Sequence, residues 1–170
     1  MAEFAPYDDG KHRAQFLELN VEYMYWGIDQ FLENYGSTPI PRDSVREFVE
    51  KSLPKFIDMK PNEGIIYIIE VDGAVAGMGA LKKLEEGIGE IKRMYIRPEH
   101  QGRGFGKEMM DRLTDKAVEL GFSMLRLDTS DCFRAAKHVY LSAGFKVRGP
   151  YPGVEISGMG PHQIFMEKDL

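Results

Sequence analysis

Between Ile91 and Lys107 the chain must leave a strand, turn through Gly102, Gly104 and Gly106, and enter a helix, and this passage constrains the fold more than any other. The strand reads Ile91-Lys92-Arg93-Met94-Tyr95-Ile96 and stops at Arg97-Pro98. The helix follows from periodicity: Phe105, Met109, Met110, Leu113, Ala117 and Leu120 fall on one face at a 3.6-residue repeat, and Gly121 stands where a helix ends. The helix therefore begins at the glycines. A helix N-terminus offers unpaired N–H groups and the positive end of the macrodipole, and glycines let a ligand approach the backbone closely. The passage reads as a pyrophosphate cradle, with Arg103 and Lys107 adding positive charge.

Two common phosphate motifs are excluded. A dinucleotide fingerprint needs a third glycine where Lys107 stands. A P-loop ending in Gly106-Lys107 needs glycine in place of Gln101 and Ser or Thr in place of Glu108. What remains, Gln101-Gly102-Arg103-Gly104-Phe105-Gly106 after a strand, resembles the acyl-CoA pyrophosphate loop (Gln/Arg-x-x-Gly-x-Gly/Ala) of the GCN5-related N-acetyltransferase (GNAT) superfamily.

The rest of the chain is read around that loop. Glu3 to Tyr7 reads as a short strand, and the apolar pattern from Ala14 to Leu32 as one long or two broken helices, with Gly27 weakening the middle. Asp43 or Ser44 is placed to cap a helix carrying Val45, Phe48, Val49 and Leu53, which Pro54 ends or kinks. Ile65 to Val71 is rich in β-branched residues and runs into Asp72-Gly73, a hairpin signal. A second strand from Ala74 to Leu84 and a third from Gly89 to Ile96 complete a meander. Met124 to Thr129 is a strand parallel to the third, Cys132 to Ala143 a helix capped by Ser130 or Asp131, and Phe145–Arg148 and Gln163–Lys168 two last strands. Between them, Gly149 to Pro161 holds three prolines and four glycines, a long loop of the kind that carries function. The order is that of the GNAT acyl-CoA N-acyltransferase fold, α/β (α+β): a mixed central sheet with an antiparallel meander and a βαβ crossover, helices on both faces, in one domain over residues 1–170.

The resemblance implies acetyl-CoA as cosubstrate, held by Gln101, Gly102, Arg103, Gly104, Phe105, Gly106 and Lys107, with Met94, Tyr95 and Ile96 pairing with the pantetheine arm as an added strand. In that family the strands flanking the loop helix splay apart, and a main-chain N–H, here of Tyr95 or Ile96, polarises the thioester carbonyl. The family pattern Asn-x-x-Ala-x-x-x-Tyr-x-x-x-Gly-Phe is met at Ala136, Tyr140, Gly144 and Phe145, with Phe133 in place of Asn. It assigns Tyr140 as the acid that returns a proton to the thiolate; the alternative is a core tyrosine on the face shared with Phe133, Ala136 and Ala143. Glu90 is placed where related enzymes carry the base, although it could equally pair with Lys92 or Arg93 while water accepts the proton. Cys132, the only cysteine, excludes an intrachain disulfide and reads as a small apolar residue beside Phe133 rather than a nucleophile. His138 reads as a surface residue.

At 170 residues and a net charge of −5, the chain is one domain's worth of sequence with no broad nucleic-acid footprint. No basic leader precedes an apolar run, no stretch reaches membrane-spanning length, and the scattered histidines form no metal motif, so a cytoplasmic protein without metal or membrane partner is expected. The expected acceptor is a small-molecule or peptide amine. Tyr23, Tyr25, Trp26, Phe31 and Tyr35 read mainly as packing, with some lining the acceptor cleft. Glu18, Glu22, Asp29 and Glu33 favour a cationic amine if they face that cleft. The oligomeric state is open, a homodimer included. A CoA-binding sensor or structural domain without turnover is the alternative function.

Overall fold

The computed structural model describes residues 1–170. Seven strands form one sheet in the order β1-β2-β3-β4-β5-β7-β6: β1 (Ala2–Pro6), β2 (Gly64–Val71), β3 (Ala74–Glu85), β4 (Ile88–Ile96), β5 (Met124–Ser130), β6 (Lys146–Arg148) and β7 (Gln163–Asp169). Only the β4–β5 pair is parallel. The meander turns at Asp72 and Gly73, whose φ values of 50° and 81° are those a two-residue type I′ turn requires.

The sheet separates two apolar layers. On one face α4 (Phe105–Glu119) and α5 (Arg134–Ser142) bury Phe105, Met109, Leu113 and Tyr140 against Ile69, Leu81 and Leu125. On the other, α1 (Asp9–Tyr35), α2 (Val45–Ser52) and the single turn α3 (Pro54–Ile57) bury Phe16, Leu19, Val49 and Phe56 against Ile66, Ile68 and Met78. No helix is long and apolar enough to cross a membrane.

α1 runs unbroken for 27 residues, so the open choice between one helix and two resolves to one. Glycine inside a helix costs about 1 kcal/mol relative to alanine. Burial of Phe16, Leu19, Met24, Ile28 and Phe31 along the same helix outweighs this, at roughly 1.5–3 kcal/mol per side chain. Asp8 closes the N-terminus by accepting from the Lys11 N–H at 2.9 Å, and Gly36, at φ 71°, closes the C-terminus. Two expected caps are not formed. A 3₁₀ turn over Arg42–Ser44 feeds α2 without a side-chain cap, and α5 begins at Arg134, not Cys132, behind Phe133. The Asp131 carboxylate is held instead by Tyr35 and by His162, the latter at 3.4 Å.

β4 carries the irregularity that opens the molecule. Tyr95 pairs with Met78 and Lys92 with Ala80, so Arg93 and Met94 together oppose Gly79, and Arg93 sits at φ 56°. This is a β-bulge, and one extra residue reverses the faces of everything beyond it. Ile91 accordingly packs in the α4–α5 layer, while Tyr95, four residues later, packs in the α1–α2 layer. A bulge also sharpens strand twist. β4 and β5 pair only at Ile88, Gly89 and Glu90 and then separate, leaving the remainder of that edge of β4 without a strand partner. Gly79 is required opposite the bulge, since a Cβ there would stand 2.7 Å from Met109 Cγ of α4.

Candidate active site

The gap between the diverging strands is a cleft of about 510 Å³ floored by β4 and walled by α4 and α5. At its mouth, the Gln101 N–H is bonded to Pro98 O and the Glu108 N–H to Gly104 O; no N–H of residues 102–107 has a main-chain partner. Gly102 and Gly104, at φ 74° and 84°, have open space where a Cβ would project. The six free donors at the start of a 15-residue helix form an anion cradle, which fits the phosphates of CoA. Met94, Tyr95, Ile96, Gln101, Gly102, Gly104, Phe105, Gly106 and Lys107 line the cleft. Arg103 does not: its guanidinium lies 5.0 Å from the Phe105 ring centre and 3.2 Å from His100 Nδ1. His138, exposed on α5, stands at the edge of the cleft.

A smaller cavity of about 90 Å³ opens on the α1 side of β4. Tyr23, Met94, Phe133 and Tyr140 line both spaces and mark where they meet. Tyr140 is 6% exposed, and burial pushes its phenol well above the usual tyrosine range, with Tyr23 and Asp128 adding to the rise. The Phe133 ring lies tilted 4.8 Å from that of Trp26 and edge-on 5.9 Å from that of Phe31, so it joins the aromatic wall of α1. Gly27 of α1 faces this ring, and a Cβ there would meet Phe133 Cζ at an ordinary contact distance of 3.6 Å.

The polar groups of the second cavity come from both strands and from the long loop. Lys92 Nζ bridges Glu90 Oε1 at 3.0 Å and Asp128 Oδ1 at 3.1 Å. Gln163 donates to Asp128 Oδ2 at 3.1 Å, and the Tyr151 hydroxyl to Glu90 Oε1 at 3.0 Å. Burial lowers Lys92, but the two carboxylates outweigh it and the net shift is upward. Burial raises Glu90 above the usual carboxylate range despite Lys92 and Tyr151. Asp128 and Lys92 line the cavity; Glu90, 4% exposed, lies behind Lys92 and lines neither space. Arg93, Glu155, Ile156 and Met159 complete the far side.

The carboxylates expected to attract a cationic acceptor are engaged elsewhere. Glu22 holds Arg97 at 2.7 and 2.8 Å, Glu18 holds Arg46 at 3.1 Å and Asp29 pairs with Arg42. With Glu33, none of them lines either space, because the cavity-facing stripe of α1 is Tyr23, Met24, Gly27, Ile28 and Phe31. Cys132 is buried with Phe31 and Met159, its Sγ 3.3 Å from Ser130 Oγ, and it also lines neither space. Sequence reasoning passed over Asp128 and Arg93. Their strands carry other charged residues, Glu90 and Lys92 in β4 and Arg126 in β5, so local sequence gives no signal that singles them out.

The sequence matches the Acetyltransferase (GNAT) family over residues 21–145. It is 38% identical over 145 residues to an uncharacterized N-acetyltransferase of Schizosaccharomyces pombe, covering 84% of each chain. It is 36% identical over 99 residues to the IAA acetyltransferase of Azospirillum brasilense, 58% of this chain and 63% of that protein. A Klebsiella pneumoniae protein assigned to the acyl-CoA N-acyltransferases superposes with a TM-score of 0.74 at 26% identity, over 100% of this chain and 98% of that one. The PaiA N-acetyltransferase of Thermoplasma acidophilum, solved in complex with coenzyme A, superposes with a TM-score of 0.73 over 100% and 99%; at 17% identity it speaks to the fold alone. Loop, splayed strands and sequence agree, and the chain belongs to the GNAT acetyltransferase family.

Proposed function

We propose that this protein is an acetyl-CoA-dependent N-acetyltransferase, moving the acetyl group to a primary amine by direct attack within a ternary complex. One observation carries the reading: a cleft with a phosphate cradle at its mouth meets a second, partly polar cavity at Tyr23, Met94, Phe133 and Tyr140. The two reactants are then brought together inside the protein, and the acetyl thioester supplied by the cosubstrate is attacked there.

The free N–H groups of residues 102–107 hold the pyrophosphate, and the edge of β4 left by β5 holds the pantetheine. A main-chain N–H of Tyr95 or Ile96 polarises the thioester carbonyl. The amine enters from the smaller cavity and meets Asp128, whose carboxylate retains lone pairs beyond its bonds to Lys92 and Gln163. The amine's proton passes into the Asp128–Lys92–Glu90 cluster. There Glu90, raised by burial, acts from behind Lys92 as its readily protonated member. Tyr140 remains protonated and donates toward the departing sulfur. Because a thiol titrates near ~8.5 and this phenol far higher, complete proton transfer runs uphill, and the contribution is stabilisation of developing charge.

Steady release of free thiol from acetyl-CoA on addition of a primary amine tests the reading. A CoA-binding sensor of the same fold would show a CoA-induced thermal shift and no amine-dependent thiol release from any member of a broad amine panel.

A further inference from the structure

Arg93 lies at the β4 bulge, a non-glycine residue held in the left-handed region, and its side chain is buried to 4% exposure of the residue. Its Nη2 donates to Ser52 Oγ at 3.0 Å and pairs with Glu155 of the long loop, and the guanidinium stands 5.0 Å from the Phe56 ring centre. The single N–H of Nε and the two of Nη1 are buried without any partner. A charged donor shut away from water and left unmade is among the costlier defects a core can hold. A strained backbone position maintaining it points to a ligand rather than to packing.

The surroundings state what the ligand carries. Arg93 lines the cavity into which Asp128 and Lys92 also face. The lone pairs that Asp128 keeps beyond Lys92 and Gln163 suit an ammonium, while the Nε and Nη1 donors of Arg93, left over from its pair with Glu155 through Nη2, suit a carboxylate. Most of the remaining wall is apolar, with Ile28, Phe31, Ile156 and Met159 beside Thr38 and Glu155. A cationic amine would have no partner for Arg93, and a neutral one would leave the same donors orphaned.

We infer that the acceptor is a small amino carboxylate with an apolar body, its amine at Asp128 and its carboxylate on the unsatisfied N–H groups of Arg93. This rests on the acetyltransfer reading only in taking the cavity as the acceptor site.

Matched pairs decide it: L-alanine, L-leucine and L-methionine against their primary amides, which keep amine and side chain and remove only the negative charge. In the wild-type enzyme kcat/KM, corrected for the fraction of free amine, should favour the acids by about tenfold or more, the size of one charge-assisted hydrogen bond. In Arg93→Gln that ratio should fall to near one, a retained CoA-induced thermal shift showing that the variant is folded. A binding arm does not depend on turnover: L-leucine or L-methionine added to the CoA-saturated wild-type protein should raise Tm, the corresponding amides should not, and Arg93→Gln should lose the difference. Amides used as well as acids, with equal thermal shifts, would overturn the inference and leave acetyl transfer standing. No thiol release with any amine would instead refute the acetyltransfer reading, and the binding arm alone would then decide the role of Arg93.

Discussion

Tyr140 separates catalysis from packing more cleanly than any other side chain here, because it belongs to the α5 layer and yet faces both spaces. Removing only its hydroxyl leaves the ring against Phe145 in place. Tyr140→Phe should therefore lower kcat by about a hundredfold, the usual size of one lost hydrogen-bond donor to developing charge, with CoA affinity changed less than a few-fold. Normal turnover in the variant would make Tyr140 a packing residue. Burial keeps the Tyr140 phenol protonated, so Tyr140 should add no descending limb to the pH profile of kcat up to about pH 9.5, and the wild-type and Tyr140→Phe profiles should have the same alkaline shape. Cys132 makes the opposite case. Its thiol is buried beside Ser130 away from both spaces, so Cys132→Ser should keep most activity, and isolation of an acetylated Cys132 that transfers at a competent rate would overturn direct attack.

At the scale of elements, the β4–α4 turn presents main-chain N–H groups without partners, so its glycines should matter more for CoA binding than its charged side chains. Gly104 is the N-cap of α4 at φ 84° with nothing near its absent Cβ. Gly104→Ala then reports backbone strain alone, while Gly104→Glu adds a carboxylate inside the phosphate cradle. The glutamate variant should lose the CoA-induced thermal shift entirely and the alanine variant only part of it. Equal shifts in both would show that the loop's N–H groups are not what holds the cosubstrate. The bulge in β4 belongs to this scale as well, since two residues against Gly79 reverse the strand's faces and deliver Arg93 to the smaller cavity.

For the whole molecule, the buried cluster behind the cavity makes stability depend on pH in a direction that can be worked out. Burial holds the Glu90 carboxyl above its unfolded value. The folded state therefore binds this proton more tightly, so stability is fully present below about pH 4.3 and is lost as pH rises through the folded value. Glu70 runs the other way: Lys11 and His12 lower it, so its contribution is present at neutral pH and lost as pH falls. Glu90→Gln should flatten the decline in Tm on going from pH 4 toward 7 without touching the acid limb set by groups such as Glu70. An unchanged slope above pH 4 would show that Glu90 titrates normally.

Local sequence determined most of the architecture, because its signals act over a few residues: Asp72-Gly73 for the hairpin, the repeat from Phe105 to Ala117 for α4, and Gln101 to Gly106 for the turn between them. The same locality made one side of the larger cleft legible, since a single strand and the loop after it, Met94 to Lys107, supply about half of its lining. The smaller cavity is assembled from α1, β4, β5, α5 and a loop far apart in the chain, and only tertiary structure decided which charges face it. Glu22 and Asp29 looked available on the helix but are taken by Arg97 and Arg42, partners 75 and 13 residues away. Glu90, which its sequence position leaves open as a base or as a partner of Lys92 or Arg93, pairs with Lys92 and is shielded by it. Above all, a period-two reading of β4 cannot foresee a bulge, and that one extra residue turns Arg93 inward with its N–H groups unsatisfied.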